Sequence, residues 1–221
     1  MAVGFNSATS TNGNASSFTF SHSPAGNDRI LLVYVAYKNS ADVTTSVVFN
    51  GSESLTELEM GVHGSVQVGS LWYLEDPTET TANVVVTLSV TEKAAIGAVS
   101  YSGVDHIELT NSTTLTGQST NVSGTITTVG TDSCVVEAMS VRDRGTGFTN
   151  DPAYNFRYTD NSTGNPANGT AFSRGYDIEV ATSGTTQTSA TTIDSVEAWV
   201  VNTAELIPAA AGQENNFGFI M

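Results

Sequence analysis

Apolar and polar residues alternate, one against one, in segment after segment of this chain, and no stretch sustains the 3.6-residue period of an amphipathic helix. A period of two places successive side chains on opposite faces of an extended strand. At 83–91, Val84, Val86, Leu88 and Val90 share one face, and Val85, Thr87 and Ser89 the other. Residues 66–74 repeat the pattern, with Val66, Val68, Ser70, Trp72 and Leu74 on one face. The run ILLVYVAY at 30–37 is apolar throughout, as expected of a central strand covered on both faces. Further strands are expected at 17–21, 46–49, 55–60, 96–102, 122–128, 133–141, 171–180, 188–193 and 196–202. Asn50-Gly51 is a strong turn dipeptide, and all five prolines (Pro24, Pro77, Pro152, Pro166, Pro208) fall between the runs. The best helix candidate, 204–211, is broken by Pro208. The expectation is therefore an all-β chain, an antiparallel β-sandwich of about a dozen strands.

Composition fits that reading. Apolar residues make up 39% and 20 glycines join them, enough for a core, while only 13% of residues are charged. Ser, Thr, Asn and Gly fill the surface, and Thr suits pleated structure better than Lys or Glu does. The net charge is −15, with Lys38 and Lys93 as the two lysines. A field of that sign repels phosphate and anionic lipid, so neither nucleic acid nor a membrane is an expected partner. The single cysteine, Cys134, excludes a disulfide within the chain and a multi-cysteine metal site; in the run CVVEAMSV it reads as a buried thiol. The opening MAVGFNSATSTNGNASS lacks the basic and apolar regions of a secretory signal, and no apolar run approaches the ~18 residues of a membrane span. Synthesis in a host cytoplasm is expected.

No internal repeat stands out and no linker divides the chain. The expected organisation is an N-terminal arm at 1–16, one sandwich domain at 17–208 and a C-terminal arm at 209–221. Residues 142–169, rich in Asn, Asp, Gly and Arg, read as long loops at one end of the sandwich, where function concentrates. Their aromatics Phe148, Tyr154, Phe156 and Tyr158, with Arg142, Arg144 and Arg157 nearby, form the best candidate for an exposed partner-binding cluster. Phe217, Phe219, Ile220 and Met221 form a second, an apolar tail suited to docking on a neighbouring subunit.

The order SFTFSHSPAGNDRILLVYVAY, VVFNGSESLTEL, SLWYLEDPTETTANVVVTLS and IGAVSYSGVD resembles a recurring jelly-roll or concanavalin A-like β-sandwich domain of phage virion structural proteins. The resemblance covers about residues 16–105, with a weaker match at VEAWVVNTAELIP, and its motifs describe a fold rather than a catalytic centre. It implies a sandwich of jelly-roll type. The family includes capsid decoration proteins, tail and fibre domains and carbohydrate-binding domains.

Candidate chemistry is sparse. Glycoside hydrolysis needs two carboxylates across a sugar. The nearest pairs on one strand face are Glu57 with Glu59, Asp177 with Glu179, and Asp194 with Glu197, and none completes a Glu-x-Asp-x-x-Glu pattern. His22, His63 and His106 lie far apart, without zinc-site spacing, and Asp105-His106 with Glu108 reads as a surface turn. Two oxygen-rich loops could hold calcium, one with Glu75, Asp76 and Glu79, the other with Asp143, Asp151, Asp160 and Asn161; neither has the spacing of a calcium loop, so no cofactor is expected. Trp72 reads as core, and Trp199 as less fully buried.

The expected function is a non-enzymatic virion structural protein, a capsid decoration (cement) or tail or fibre subunit of a tailed bacteriophage. It would act as a homo-oligomer, a trimer where closure is three-fold, on partners such as the major capsid protein. The alternative is a carbohydrate-binding module for a host glycan, and behind it a glycan-active hydrolase.

Overall fold

A computed structural model describes residues 2–64, 66–143, 147–162 and 170–210. Sixteen strands follow one another: β1 (Gly4–His22), β2 (Ile30–Tyr37), β3 (Thr44–Phe49), β4 (Glu53–Ser54), β5 (Thr56–His63), β6 (Gln67–Glu75), β7 (Ala82–Ser102), β8 (Val104–Ile107), β9 (Thr113–Val122), β10 (Thr125–Thr127), β11 (Ser133–Asp143), β12 (Phe148–Thr149), β13 (Asn155–Asn161), β14 (Thr170–Val180), β15 (Thr186–Thr188) and β16 (Thr191–Pro208). Every pairing among them is antiparallel. The all-β sandwich expected from the alternation is what forms.

The first sheet runs β4-β3-β7-β2-β6-β5, with β1 on the other edge of β7. β7 serves two neighbours in turn: Val84–Leu88 pairs with β3 and Ala94–Tyr101 with β2. Between these halves the β1–β7 register slips at Ala15/Ser17, opposite Glu92/Thr87. A slip of this kind bends a ribbon. Beyond it, Phe18, Val47, Phe49, Val84, Val86 and Leu88 form one apolar cluster with the outward residues of β2 and β6, among them Leu31, Val33, Val35, Val68 and Trp72. The valine alternation read from the sequence is thus a flap closing on the sheet's outer face.

The second sheet runs β12-β16-β11-β14-β13, with β8 and β9 on the other edge of β16. Its register slips between Thr192 and Glu197, and Val122, Ile193 and Phe148 pack over Met139, Val141, Tyr176 and Trp199. The two-stranded ribbon β10–β15 sets Ile126 against Val135 and Val180. Between the sheets, Ile30, Leu32, Tyr34, Leu71, Val99 and Tyr101 meet Cys134, Val136, Ala138, Tyr158, Ala204 and Leu206. Each large aliphatic side chain buried there contributes about 1.5–3 kcal/mol. The buried thiol expected at Cys134 sits in this layer, and burial pushes it well above the ordinary thiol range.

The two sheets are the same unit built twice. Their orders, β1-β7-β2-β6-β5 and β9-β16-β11-β14-β13, match strand for strand in chain sequence. Ile30 opens β2 between Tyr101 and Glu75; Cys134 stands likewise between Leu206 and Glu179. The same number of residues separates Asp28 from Asp132, Ile30 from Cys134 and Glu75 from Glu179. β5 carries a bulge between Glu57 and Glu59, and β13 carries one at the matching place, between Phe156 and Tyr158. The sheets pack with β5 against β9 and β1 against β13, as a pseudo-two-fold axis requires. The sequence hides this repeat because the outward side chains of the two halves differ: Val33, Val35 and Tyr37 correspond to Glu137, Met139 and Val141.

Other expectations are corrected. Residues 4–16 are no free arm but the first part of β1, paired along β7. The segments expected at 83–91 and 96–102 are one strand. The helix candidate at 204–211 continues β16, with Ala204, Glu205 and Leu206 paired to β11. The region 142–169 contains strands β12 and β13 as well as loops. Phe217, Phe219, Ile220 and Met221 lie outside the described residues.

Candidate functional site

The bulge in β13 decides the fate of the aromatic cluster. Phe156 pairs with Tyr176 on the outer face of the second sheet; one extra residue, Arg157, then shifts the alternation, and Tyr158 pairs with Gly175 on the inner face. Tyr158 is 6% exposed, and its ring lies 5.8 Å from that of Tyr34 between the sheets. Its hydroxyl meets Ser173 Oγ at 2.6 Å, and burial raises it well above the ordinary phenol range. Tyr154 is also buried, at 8% exposure, in the outer-face core. The expectation of four exposed rings is therefore corrected: Tyr154 and Tyr158 have no surface to offer, Phe148 is half-buried, and Phe156 alone is exposed, at 41%.

What Phe156 does cover is Arg174. The Arg174 Cζ lies 4.1 Å from the Phe148 ring centroid, 4.8 Å from Phe156 and 5.8 Å from Tyr176. Arg174 is 7% exposed, its Nε and Nη1 have no hydrogen-bond partner, and burial lowers its pKa. Three ring faces hold the cation there in place of a carboxylate. The sequence reading missed Arg174; its place two residues from Tyr176 on β14, on the same face, was the available signal.

Arg157, the bulge residue, turns to the other face. Its Nη2 donates to Asp177 Oδ1 at 2.8 Å and its Nε to Oδ2 of the same carboxylate. Tyr101 Oη donates to Oδ2 at 2.8 Å and Asn155 Nδ2 to Oδ1 at 2.9 Å. Asp177, paired with Glu179 in the sequence reading, is thus a buried structural anion, while Glu179 is exposed.

Several other acids are similarly committed. The bulge in β5 places Glu57 opposite Trp72 and Glu59 opposite Leu71, so the two carboxylates point to opposite faces and do not form a pair. Glu59 accepts from Ser112 Oγ at 2.5 Å and Thr114 Oγ1 at 2.6 Å, tying β5 to β9. Glu75 accepts from the Ile107 amide at 3.1 Å, and Glu79 from the Gly26 amide at 3.1 Å. Asp151 holds the amides of Ala153 and Ala190, each at 2.9 Å. Asp194 stands at the bend of β16, where the register slip separates it from Glu197. Asp105 and His106 lie on strand β8, paired with β16, and not in the expected surface turn; His106 Nδ1 lies 2.7 Å from Asp105 and its Nε2 3.9 Å from Glu108, on a solvent-facing side. Among the described residues no three His, Cys, Asp or Glu side chains gather as metal ligands would.

No protein-family model matches the chain, and comparison with curated proteins and with solved structures returns no match. Two clefts among the described residues occupy matching ends of the two halves. One, of about 200 Å³, is lined by Asp28, Arg29, Glu75, Asp76 and Asp105; the other, of about 660 Å³, by Val3, Asp132, Glu179 and Pro208 among others. Trp72 and Trp199 are both buried, each indole donating to a serine, Ser70 and Ser119, at 3.0 Å.

A second poorly compensated group is Glu137, on the outer face of β11. Both carboxylate oxygens are buried without a hydrogen-bond partner, as is the hydroxyl of Thr203 on the neighbouring strand. Burial pushes Glu137 up to about 7. Its strand neighbour in space, Glu205, is instead fully engaged, accepting from the amides of Val129 and Gly130 at 2.9 and 3.0 Å and from Asn111 Nδ2 at 2.8 Å.

Proposed function

We propose that this chain is a non-catalytic structural subunit that works by association, of the kind that decorates a capsid or builds a tail or fibre. The observation that carries this reading is the commitment of five of its carboxylates. Asp177, Glu59, Glu205, Glu75 and Asp151 are each spent on holding one element of the fold to another. A general acid or base must keep an open side toward substrate. Asp177, Glu59 and Glu75 tie the first half to the second, and Glu205 and Asp151 hold loops within the second. The hydroxyl- and amide-rich surface, poor in lysine, suits packing against neighbouring subunits better than recruiting charged ligands.

The test is composition. Mass spectrometry of purified virus particles from the host of origin should find the chain in stoichiometric amount with the capsid or tail proteins. Its absence from particles, with the chain present in the same lysate, overturns the assignment.

A second reading rests on Phe156. An exposed ring seated over a recessed arginine is a small platform for a sugar face, and Phe156→Ala should then remove binding on a glycan array. An array blank for the unaltered chain overturns that reading.

A further inference from the structure

β1 leaves one long edge without a partner. It pairs along β7 on one side, and among the described residues nothing pairs with the other. An open edge presents a row of free amides and carbonyls, a template for another strand, and proteins ordinarily blunt such edges with charge, proline or extreme shortness. β1 uses none of these. Its residues GFNSATSTNGNASSFTFSH contain no Asp, Glu, Lys, Arg or Pro. Between its two register slips, residues 7–15 pair without interruption, a straight edge of about 30 Å.

Three other open edges are guarded by charge. β4 carries Glu53, β5 carries Glu57 and Glu59, and β13 carries Arg157 and Asp160. β9, which corresponds to β1 in the second half, is also uncharged, but its start is tied to β10: Thr113 Oγ1 donates to the Thr125 carbonyl at 2.9 Å, and Asn111 Nδ2 to the Thr127 carbonyl at 2.8 Å. β1 is further stiffened for its task. Asn12 Nδ2 donates to Asp160 Oδ1 at 2.6 Å, and Thr9 Oγ1 meets buried His22 Nδ1 at 2.8 Å.

We infer that β1 is a self-association edge, and that its occupant is the β1 strand of a second copy of this chain, running antiparallel about a two-fold axis at Asn12. The inference deepens the structural reading above and rests on its premise that the chain acts by association. Charge selects the occupant. Two copies of a chain with a net charge of −15 repel, so a seam between them is favoured where the paired strands themselves carry no acid and where Asp160, beside Asn12, is already held by the Asn12 amide. Among the described open edges, β1 is the longest that meets this condition. A two-fold pairing also closes, leaving no template for a third strand at this edge. In this register, exposed Ser10 of one copy stands opposite exposed Asn14 of the other.

Sedimentation equilibrium on the full chain and two double variants tests this. The unaltered chain should be a dimer at micromolar and higher concentrations. Ser10→Glu with Asn14→Glu sets like charges face to face twice and should weaken the dimer by on the order of tenfold or more. Ser10→Glu with Asn14→Lys sets opposite charges face to face and should dimerise at least as well as the unaltered chain, while keeping the same circular dichroism and melting curve as the other variant. A monomeric unaltered chain overturns the inference, as do two variants that associate alike. Neither result bears on whether the chain is found in particles, so the two proposals fail separately.

Discussion

Asp28 and Asp132 are one position of the fold met twice. Asp28 lies two residues before Ile30 and Asp132 two before Cys134, the matching positions of the two central strands, and each holds a left-handed backbone, at φ 50° and φ 53°. Asp tolerates that conformation better than most side chains, at a cost of the order of 1 kcal/mol, and glycine adopts it freely. Replacing either by Gly should leave stability unchanged or raise it slightly; replacing either by Val should cost about 1–3 kcal/mol. The two sites lie in different halves, so the costs should add to within about 0.5 kcal/mol in urea titrations.

Asp177 and Arg157 fasten the second sheet to the first through Tyr101. Removing one member of a buried, hydrogen-bonded pair strands the other's charge, which typically costs about 3–5 kcal/mol. Asp177→Ala should therefore lower the urea midpoint sharply, and adding Arg157→Leu in the same chain should recover a large part of the loss. A double variant no more stable than the single one would show that packing, not charge, dominates there.

Much of the fold could be read in the sequence because alternation reports directly on faces. Val84, Val86 and Leu88, and likewise Val68 and Trp72, share an apolar cluster as their spacing predicts. What could not be read is anything set by a bulge or a bend. One extra residue in β13 sends Phe156 outward and Tyr158 inward, and one in β5 separates Glu57 from Glu59, yet in sequence both pairs keep perfect i, i+2 spacing. β9, the segment TTLTGQSTNV, has no apolar alternation to betray it, because it is an edge strand with both faces largely polar. The repeat escaped for a related reason: pairing register is a property of the backbone, and the side chains laid over it have diverged.

Tyr158 occupies its inner site by virtue of two glycines. A methyl group at Gly97 would fall 1.9 Å from Tyr158 Cζ, and one at Gly175 would fall 2.5 Å from Cε1. Gly97→Ala must therefore displace a buried ring, and overpacking of this kind costs about 1–3 kcal/mol. Tyr158→Ala alone costs more, by leaving a cavity. The two changes together should be less destabilising than their sum, and a double-mutant cycle by thermal unfolding measures the difference.

Two buried titrating groups give the stability of the fold opposing slopes against pH. His22 is held down to about 4 by burial, from an ordinary value near 6.5, so the folded chain refuses a proton that the unfolded chain accepts. Its contribution is present above pH 6.5 and is lost as pH falls through about 4. Glu137 is pushed up to about 7 from 4.5, so the folded chain keeps a proton that the unfolded chain releases. Its contribution is present below pH 4.5 and is lost as pH rises through about 7. Each effect amounts to about 3 kcal/mol across its window, and between pH 4.5 and 6.5 the two oppose one another, with exposed Glu57, also pushed up to about 7, adding a smaller, solvent-screened slope of Glu137's sign. Glu137→Gln should unmask the histidine, giving stability that climbs more steeply from pH 4 to 6.5 than in the unaltered chain, by up to about 3 kcal/mol. His22→Gln, whose amide can still meet Thr9, should unmask the glutamate, giving stability that declines from pH 4.5 to 7. Urea unfolding of both variants against the unaltered chain across this range reads the two slopes separately. Parallel curves for all three would show that neither group carries its proton as its burial dictates.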